Sequence, residues 1–414
     1  MIILNNNVLS KVESLSNQII EWRRELHKHP ELSFQEYNSA RFIANQLSTI
    51  KNVKVEVGVG LPTAVIGTLS KGIGPTIAIR ADIDALPIQE ENTHSYTSET
   101  AGVMHACGHD AHTAIAIGVA TIMSELFEEL DLNGTVKFIF QPAEETVDEF
   151  GKTGSPYLIE SGILADVDCV LALHMNPEKE VGTVLVHDGY SMANVDVFEA
   201  TISGTGGHGA YPHLTIDPIS LLGQVIQSIN QIVSRKVSPL DAAVISICEI
   251  KAGSASNIIP KEAYLSGTLR SYKPEVRKEI IEHLYNSFEL TRLFGGDYEL
   301  KIIEGEPALF NNVEVNAVIR DSIKEALPNM VIENIPFGLG GEDFSHMVNK
   351  VPGAMIFLGC AIDDDVKREL HTPIFDIDEK ALSLGVTIFC HTLLKYFTSN
   401  ALLPTKTALE KIEN

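Results

Sequence analysis

The stretch Thr76-Ile77-Ala78-Ile79-Arg80-Ala81-Asp82 decides the fold class, because it is an almost continuous apolar run that ends in a carboxylate. Such a run is typical of a strand that is buried on both faces of a parallel sheet. Strands and helices are expected to alternate around it. The expected strands are 53–57, 63–67, 135–140, 168–174 and 354–359, and the expected helices are 8–27, 36–47, 112–130, 313–326 and 379–396. This alternation predicts an α/β fold with a mixed, largely parallel sheet flanked by helices.

The middle of the chain has a different order of elements. Residues 191–304 predict a strand, a helix, two strands, a helix and a strand, which is the order of a ferredoxin-like α+β unit. At 414 residues the chain is also longer than one core usually grows. The sequence therefore predicts a discontinuous α/β domain, residues 1–190 and 305–414, with an inserted ferredoxin-like domain, residues 191–304. The polar tail 398–414 is expected to be loosely ordered.

The composition is that of an ordinary soluble globular protein, with 44% hydrophobic and 21% charged residues. The formal net charge of −24 argues against nucleic acid and anionic membranes as partners, because both are themselves negative. The N-terminal residues lack the basic and apolar regions of a signal peptide. No apolar stretch is expected to approach the ~18 residues that a membrane span needs.

The five cysteines are odd in number and widely scattered, which argues against a disulfide framework. A cytoplasmic location is therefore expected. Cys169 and Cys248 lie in apolar runs and are expected to be buried hydrophobic residues. Cys107 differs from them, since it lies in the histidine-rich run His105-Ala106-Cys107-Gly108-His109-Asp110-Ala111-His112.

Cys107 and His109 have the residue types and the spacing of metal ligands. A thiolate binds zinc-class ions strongly, and an imidazole two residues away can bind the same ion if the backbone between them is extended. On this reasoning His105 or His112 can take the place of His109. Since His112 opens a predicted helix, an orienting or capping role is an alternative for it. The simplest alternative for the whole run is a buried free cysteine beside surface histidines.

The pair Glu144-Glu145 follows a predicted strand across the turn Gln141-Pro142. One carboxylate of such a pair can bind a metal ion while the other accepts a proton from the attacking water. The alternative is a solvated acidic turn. His174 closes a predicted strand, and His371 lies in the irregular run Leu370-His371-Thr372-Pro373. A lone histidine in the place of His174 is more often a core residue than a ligand, and His371 taken alone indicates little.

The predicted inserted domain carries a glycine-rich loop, residues 204–213, with the histidines His208 and His213. The loop lacks the Lys and Ser/Thr of a phosphate loop, so nucleotide binding is not predicted. Its backbone and its imidazoles can approach a substrate oxygen closely. Asn257 and Arg270 border neighbouring strands, and Arg270 is either a bidentate partner for a carboxylate or a solvated charge at a strand end.

These motifs, in this order, resemble one known family, the two-domain metal-dependent aminoacylases and carboxypeptidases. The resemblance is to the amidohydrolase branch, which comprises hippurate hydrolases, N-acyl-amino-acid amidohydrolases and auxin–amino-acid conjugate hydrolases. It extends from residue ~23 to residue ~376 and rests on many short motifs in combination. The runs that carry it are residues 24–32, 80–87, 104–112, 141–145, 173–175, 207–213, 267–270, 341–345 and 371–373.

The resemblance implies a dinuclear metal centre with Glu144 as its general base. The implied ligands are Cys107, His109, Glu145, His174 and His371. It also implies that His208 stabilises an oxyanion, in dimers often in the neighbouring subunit's active site, and that Asn257 and Arg270 contact a substrate carboxylate. The ions would be divalent, and Mn, Zn, Co and Ni all suit a site that contains a cysteine.

The chain departs from the wider family in one respect. Peptidases of that family carry His-x-Asp where this chain has Asp82-Ile83-Asp84, and Cys107 stands in place of their bridging aspartate. This is the pattern of the amidohydrolase branch, and it argues against dipeptidase activity. The sequence therefore predicts a metal-dependent hydrolase of the amide bond in N-acyl amino acids, with a small-molecule substrate. A homodimer through the inserted domain is a further hypothesis from the resemblance.

Two other interpretations stay open at this point. A dipeptidase or carboxypeptidase that acts on small peptides would need the same types of ligand. A non-catalytic protein that binds metal or peptide could keep the fold, although such a protein is expected to have lost at least one of the site residues.

Overall fold

The structure is a computed structural model that describes residues 2–398 and Leu403. Its packing divides the chain into two compact units. The larger unit comprises the described residues up to Gly189, Phe310–Phe337 and those from Asp343 onwards, and the smaller unit comprises Tyr190–Leu309 and Gly338–Glu342. The polar tail 398–414, for which loose order is expected, lies almost entirely outside the described residues. The domain boundaries expected from the order of elements stay predictions, since compactness does not test independent folding.

Helices and strands alternate through the described residues. The helices are α1 Ile2–Lys28, α2 Tyr37–Ser48, α3 His109–Glu129, α4 Gly154–Glu160, α5 Pro218–Arg235, α6 Pro274–Leu293, α7 Val313–Ala326, α8 Phe344–Val348 and α9 Lys380–Thr398. The strands are β1 Val53–Val57, β2 Val65–Lys71, β3 Thr76–Asp82, β4 Gly134–Gln141, β5 Cys169–Glu180, β6 Thr183–Leu185, β7 Gly189–Met192, β8 Asn194–Ser203, β9 Gly207–His208, β10 Ala243–Ala252, β11 Ile258–Ile259, β12 Glu262–Ser271, β13 Asp297–Glu304, β14 Leu309–Asn311, β15 Val331–Glu333 and β16 Gly353–Ala361.

An eight-stranded mixed sheet forms the centre of the larger unit, with the strand order β1-β2-β4-β3-β5-β16-β6-β15. The central strands β4, β3, β5 and β16 run parallel, whereas β2 and β6 pair antiparallel with this central set. Central parallel strands are covered on both faces, which explains why Ile77, Ala78 and Ile79 are all buried at consecutive positions of β3. The predicted fold class, a mixed, largely parallel sheet flanked by helices, is confirmed.

Helix α9 corrects one expectation from the sequence. An 18-residue window of α9 has a mean hydropathy of 1.2, so by length and composition this helix is apolar enough to cross a membrane. The expectation that no apolar stretch approaches that length is therefore wrong. Of that window, 67% is buried inside the protein, where α9 packs against α1, α3 and α7. Burial of this extent is that of a core helix.

The smaller unit contains a four-stranded antiparallel sheet with the order β10-β12-β8-β13. Helices α5 and α6 contribute Val225 and Leu284 to one core with Phe198 and Leu265 of the strands. The order of elements along the chain is the one expected for residues 191–304, and the order of strands in the sheet is that of a ferredoxin-like unit.

The expectation that Cys248 is buried is wrong. Its side chain is exposed, at an irregularity in β10 where the pairing with β12 shifts between Ile247 and Glu249. β10 packs Ala243, Ile245 and Ile247, at alternate positions, against the core formed with α5 and α6, and Cys248 is not part of that core. Cys169 in β5 is buried, as expected.

The ends of the parallel strands position the polar residues. Strand β3 ends at Asp82 and β4 ends at Gln141, and these two residues are partners across the parallel pair. Strand β5 does not close at His174, as was expected, but continues to Glu180. His174 therefore lies within the strand, opposite Phe357 of β16. The loops that follow β3 and β4 begin at the same edge of the sheet, where sites of α/β proteins usually form.

Candidate metal centre

Cys107 and His109 lie on the turn that leads into α3. Gly108 between them has a left-handed backbone with a φ of 87°, not the extended backbone on which the expectation of a shared ion depended. A Cβ at position 108 would also lie 3.1 Å from Cγ of Met175. Both the positive φ and this close approach favour glycine at the position. The turn still brings Sγ of Cys107 and a ring nitrogen of His109 within 4.8 Å of each other.

Two groups of ligand-type side chains share Cys107. The potential ligand atoms of Cys107, His109 and His174 all lie within 4.8 Å of one another, and so do those of Cys107, Glu145 and His371. Sγ of Cys107 is 3.4 Å from Nε2 of His174, and Nε2 of His371 is 3.4 Å from Oε1 of Glu145. Cys107 would therefore be a ligand in either group.

Main-chain carbonyls orient two of these imidazoles. Nδ1 of His109 donates to the main-chain oxygen of Asp84 at 2.9 Å, and Nδ1 of His174 donates to that of Met175 at 2.8 Å. A carbonyl oxygen only accepts, so a neutral ring in either place carries its proton on Nδ1 and has its lone pair on Nε2. Histidines that bind metal ions usually make this kind of second contact.

Buried polar atoms without partners fit the binding of a cation here. Nε2 of His109 and Oε1 of Glu145 are buried, and neither has a hydrogen-bond partner among the residues that the structure describes. Unpaired polar atoms in such places cost free energy, and an ion bound to both would relieve that cost. A thiolate, three imidazoles and carboxylates are donors that zinc-class ions prefer. The residues present therefore fit a metal centre.

His112 and His105, the alternatives to His109, lie in different surroundings. Nδ1 of His112 bonds to Asp82 at 2.6 Å, and its Nε2 accepts the N–H of Met175 at 2.9 Å. Both nitrogens of His112 thus have partners. This arrangement fits the orienting role that the sequence analysis gave as an alternative for His112. Both nitrogens of His105 are buried without a hydrogen-bond partner in the described part of the chain, and burial lowers the pKa of His105 to about 4.

The pair Glu144-Glu145 lies on the turn after β4. The backbone N–H of Glu145 donates to Oδ2 of Asp84 at 3.0 Å. Carboxylate oxygens of both glutamates lie within 4.8 Å of a ring nitrogen of His109. Both glutamates are partly exposed as residues, and the side chain of Glu145 is only 8% exposed. The turn therefore presents two carboxylates to the same cluster.

His371 reaches the cluster from the segment between β16 and α9. Its backbone is left-handed, with a φ of 60°, and its N–H donates to the main-chain oxygen of Ala106 at 2.8 Å. This contact joins His371 to the residue that precedes Cys107. A left-handed backbone is uncommon for a residue other than glycine, and such strain tends to occur at functional sites. The side chain of His371 is 52% exposed, so it marks the open side of the cluster.

Buried carboxylates set the protonation of the cluster. Burial alone would lower the pKa of His109, but the negative charges of Asp82 and Asp84 raise it to about 10. Burial also raises the pKa of the Cys107 thiol well above its usual value, and the nearby charge of Glu145 raises it further. In the absence of metal, both groups therefore hold their protons at neutral pH.

Asp82 and Asp84 orient the histidines, a role that the sequence analysis missed. Asp82 bonds to His112 and to Arg80, each at 2.6 Å. The main chain of Asp84 accepts from His109, and its side chain accepts the N–H of Glu145. The signal was present in the sequence, because both residues directly follow a predicted buried strand, where polar residues of α/β proteins often form sites.

The three remaining predicted site residues belong to the smaller unit. His208 is exposed on β9, which pairs with β11, and its Nδ1 accepts the N–H of Ala210 at 3.0 Å. Asn257 is exposed, and its main-chain oxygen accepts the N–H of Gly209 at 2.9 Å. Arg270 on β12 is half-buried and has no hydrogen bond or ion pair with any described residue. Burial lowers the pKa of Arg270.

The fold and the ligand cluster together define a metal-dependent hydrolase with two structural units. The sequence pattern of Peptidase family M20/M25/M40 matches residues 78–395, which is more than half of the chain. The chain belongs to this family. The resemblance inferred from the sequence motifs is confirmed.

Curated relatives match nearly the whole chain. The chain is 38% identical over 380 residues to N-acetylcysteine deacetylase of Bacillus subtilis (strain 168), with 91% of this chain and 96% of the relative covered. It is 38% identical over 400 residues to thermostable carboxypeptidase 1 of Saccharolobus solfataricus, with 94% and 97% covered. It is 33% identical over 401 residues to IAA-amino acid hydrolase ILR1-like 2 of Arabidopsis thaliana, with 93% and 88% covered.

A solved structure has the same fold and a related sequence. It is the crystal structure of the Bacillus subtilis YXEP protein, described as a dinuclear metal-binding peptidase from the M20 family. The match has a TM-score of 0.81 and 33% sequence identity, and it covers 93% of this chain and 99% of that one.

We expect metal binding to this cluster to release protons. Metal-free His109 and Cys107 are both protonated at pH 7.5, because their pKa values are raised, that of His109 to about 10. A ligating imidazole or thiolate has lost its proton, so zinc binding is expected to release about two protons from these groups and to weaken as the pH falls. Calorimetric titration of the metal-free protein with zinc chloride, in two buffers of different ionisation enthalpy, measures the release. A release near zero would contradict this protonation scheme.

Proposed function

We propose that this protein hydrolyses the amide bond of small N-acyl amino acids. The observation that carries the proposal is the pair of ligand groups that share Cys107, with the carboxylate of Glu144 beside them. Two of the relatives described above are named as a deacetylase of an N-acetyl amino acid and as a hydrolase of an amino acid conjugate. Their names support the proposed class of substrate.

The proposed ligands are the donor atoms gathered around Cys107. They are Cys107, His109, Glu145, His174 and His371. When bound, two divalent ions would polarise the scissile carbonyl and make the attacking water more acidic. Mn, Zn, Co and Ni remain candidates, because the mixed sulfur, nitrogen and oxygen donors suit each of them.

Glu144 is the proposed general base. A carboxylate oxygen of Glu144 lies within 4.8 Å of a ring nitrogen of His109 and of a carboxylate oxygen of Glu145, and Glu144 is partly exposed. In this position it accepts a proton from the attacking water and returns that proton to the leaving nitrogen. The product then departs as a neutral amine instead of a strongly basic anion.

The roles of the residues in the smaller unit stay predictions, and their chemistry supports them. Nδ1 of His208 accepts the N–H of Ala210, so a neutral His208 ring carries its proton on Nε2 and can donate it to an oxyanion. The half-buried guanidinium of Arg270, without a carboxylate partner in the described chain, suits the carboxylate of an amino acid. The exposed amide of Asn257 suits the same group.

A carboxypeptidase or dipeptidase is the second candidate function. The observation in its favour is the 38% identity with thermostable carboxypeptidase 1 over nearly the whole chain. A C-terminal amino acid offers Arg270 the same carboxylate as an N-acyl amino acid does. The two functions differ in the group on the other side of the amide, which is a neutral acyl group in one and a charged amino acid in the other.

A substrate panel separates the two functions. We expect the metal-loaded protein to hydrolyse N-acetyl and N-benzoyl amino acids with a kcat/KM at least about tenfold above that for unblocked dipeptides, a difference of about 1.4 kcal/mol. The reason is that a free ammonium must be desolvated in the site and a blocked amine need not be. Release of the amino acid is measured by chromatography. A reversed preference would favour the carboxypeptidase, and no turnover with metal fully bound would favour a non-catalytic protein.

Variants of Glu144 and Cys107 test the assigned roles. Glu144→Gln is expected to lower kcat about 10²- to 10⁴-fold and to keep the metal content, because Glu144 is a base and not a ligand. Cys107→Ala is expected to lose metal, since it removes the sulfur that both groups share. Cys169→Ala, which removes a buried thiol from β5, is the matched control and is expected to keep metal and activity. Metal loss in Glu144→Gln would reverse the roles within the glutamate pair.

We also propose a homodimer through the smaller unit. Large apolar side chains of this unit are exposed, among them Leu240, Leu293 and Phe294, and burial of such groups favours association. Sedimentation velocity at micromolar concentration is expected to give the mass of a dimer. A monomer at every concentration tested would contradict this proposal without affecting the proposed chemistry.

A further inference from the structure

The turn that carries the glutamate pair contains a strained residue. Ala143 directly precedes Glu144, is fully buried, and has a left-handed backbone with a φ of 55°. The Cβ of an alanine disfavours this conformation, and its side chain has no polar atom that could stabilise it locally. Contacts from elsewhere in the structure must therefore hold the backbone in this conformation.

A buried carboxylate makes such a contact. Oε1 of Glu36 accepts the N–H of Ala143 at 2.9 Å and the N–H of Phe34 at 2.8 Å. Oε2 of Glu36 accepts the hydroxyl of Thr63 at 2.8 Å. Glu36 is 0% exposed, so water does not compete for these bonds.

The side chain of Glu36 does not serve the helix that follows it. It occupies the N-cap position of α2, but its side chain makes no capping hydrogen bond. The carboxylate of Glu31 instead accepts the N–H groups of Asn38 and Ser39, each at 2.8 Å. Helix capping therefore gives no reason to bury a carboxylate at position 36.

We propose that Glu36 is a positioning residue that fixes the left-handed backbone at Ala143 and thereby the directions of Glu144 and Glu145. This inference rests on the proposed function, in which Glu144 is the general base and Glu145 is a metal ligand. Asp84 accepts the N–H of Glu145 at 3.0 Å. The carboxylate of Glu36 thus binds the backbone just before the glutamate pair, and the carboxylate of Asp84 binds the backbone within the pair.

The surroundings of Glu36 suggest a conservative replacement for it. Burial and the nearby charge of Asp84 raise the pKa of Glu36 to about 7, so the neutral carboxyl is well populated near neutral pH. Glutamine has the same shape as that neutral form. Its amide oxygen can accept the N–H groups of Phe34 and Ala143, while its NH₂ group donates to the hydroxyl of Thr63.

The first pair of variants removes the contact and then replaces it. Glu36→Ala is expected to lower both kcat and the affinity of the metal-free protein for zinc about 10- to 100-fold, as is usual when a group that supports ligands is lost. Glu36→Gln is expected to stay close to the wild type in both measurements. Activity is measured with saturating zinc and an N-acetyl amino acid, and zinc affinity is measured by competition with a chelator.

Ala143→Gly distinguishes a positioning role of Glu36 from a merely structural one. Glycine adopts a positive φ without strain, so the double variant Glu36→Ala/Ala143→Gly is expected to exceed Glu36→Ala severalfold in both kcat and zinc affinity. Ala143→Gly alone is expected to bring no gain, because Glu36 already holds the backbone. If Glu36 served only Phe34 or general stability, a change at position 143 would restore nothing.

Thr63→Val is the matched control, because it removes the third contact of Glu36 and leaves both backbone contacts in place. It is expected to keep kcat and zinc affinity. If Glu36→Ala does not fold, Glu36→Asp replaces it, since the shorter side chain cannot reach both backbone N–H groups. The proposal is overturned if Glu36→Gln is as impaired as Glu36→Ala, or if the double variant is no better than Glu36→Ala. Zinc affinity needs no substrate, so an inactive wild type would refute the proposed function and leave this test valid.

Discussion

The burial of acidic groups at one edge of the central sheet is the constraint on which the site depends. Asp82 and Asp84 are buried where β3 ends, and the side chain of Glu145 is almost buried beside them. Arg80 pairs with Asp82, but the remaining charge is large enough to raise the pKa of His109 to about 10 in spite of burial. Added positive charge stabilises a cluster of this kind, and the proton on His109 supplies it at neutral pH without metal, whereas divalent ions supply it when bound.

The elements with a strong hydrophobic pattern could be predicted from the sequence almost to the residue. β1 and α7 have the bounds expected, and β4 differs from expectation by one residue at each end. The short elements β6, β15 and α8 were missed, because three to five residues are too few to show a period. The end of β5 was also missed, since residues 176–180 are polar and include Pro177, which is typical of a loop.

The residue types of the candidate site could be predicted, but the contacts that hold them could not. The motifs named the thiol, the imidazoles and the glutamate pair. The choice between His109 and His112 depended on their ring nitrogens, because both nitrogens of His112 are engaged and Nε2 of His109 is not. The partners of His112 come from other strands. The left-handed backbones at Ala143 and His371 are also invisible in sequence, because neither residue is a glycine.

Contacts between distant segments explain the other errors as well. The apolar run of α9 suits a membrane or a core equally well, and only its packing against α1, α3 and α7 decides between them. The apolar run around Cys248 indicated burial, yet only Ala243, Ile245 and Ile247 of that run pack against the core of the smaller unit, and Cys248 is exposed. Position in the sheet, which local sequence does not encode, decides whether such a residue meets solvent.

The discontinuity of the larger unit has a consequence for biosynthesis. Strand β16 pairs with β5 but follows it only after the whole of the smaller unit. A nascent chain therefore presents one side of β5 unpaired while residues 190–309 emerge from the ribosome, and unpaired strand edges favour association with other chains. The smaller unit is almost continuous in sequence, since only Gly338–Glu342 are separated from the rest of it. Completion of the metal cluster is necessarily a late event, because His371 is translated after nearly everything it contacts.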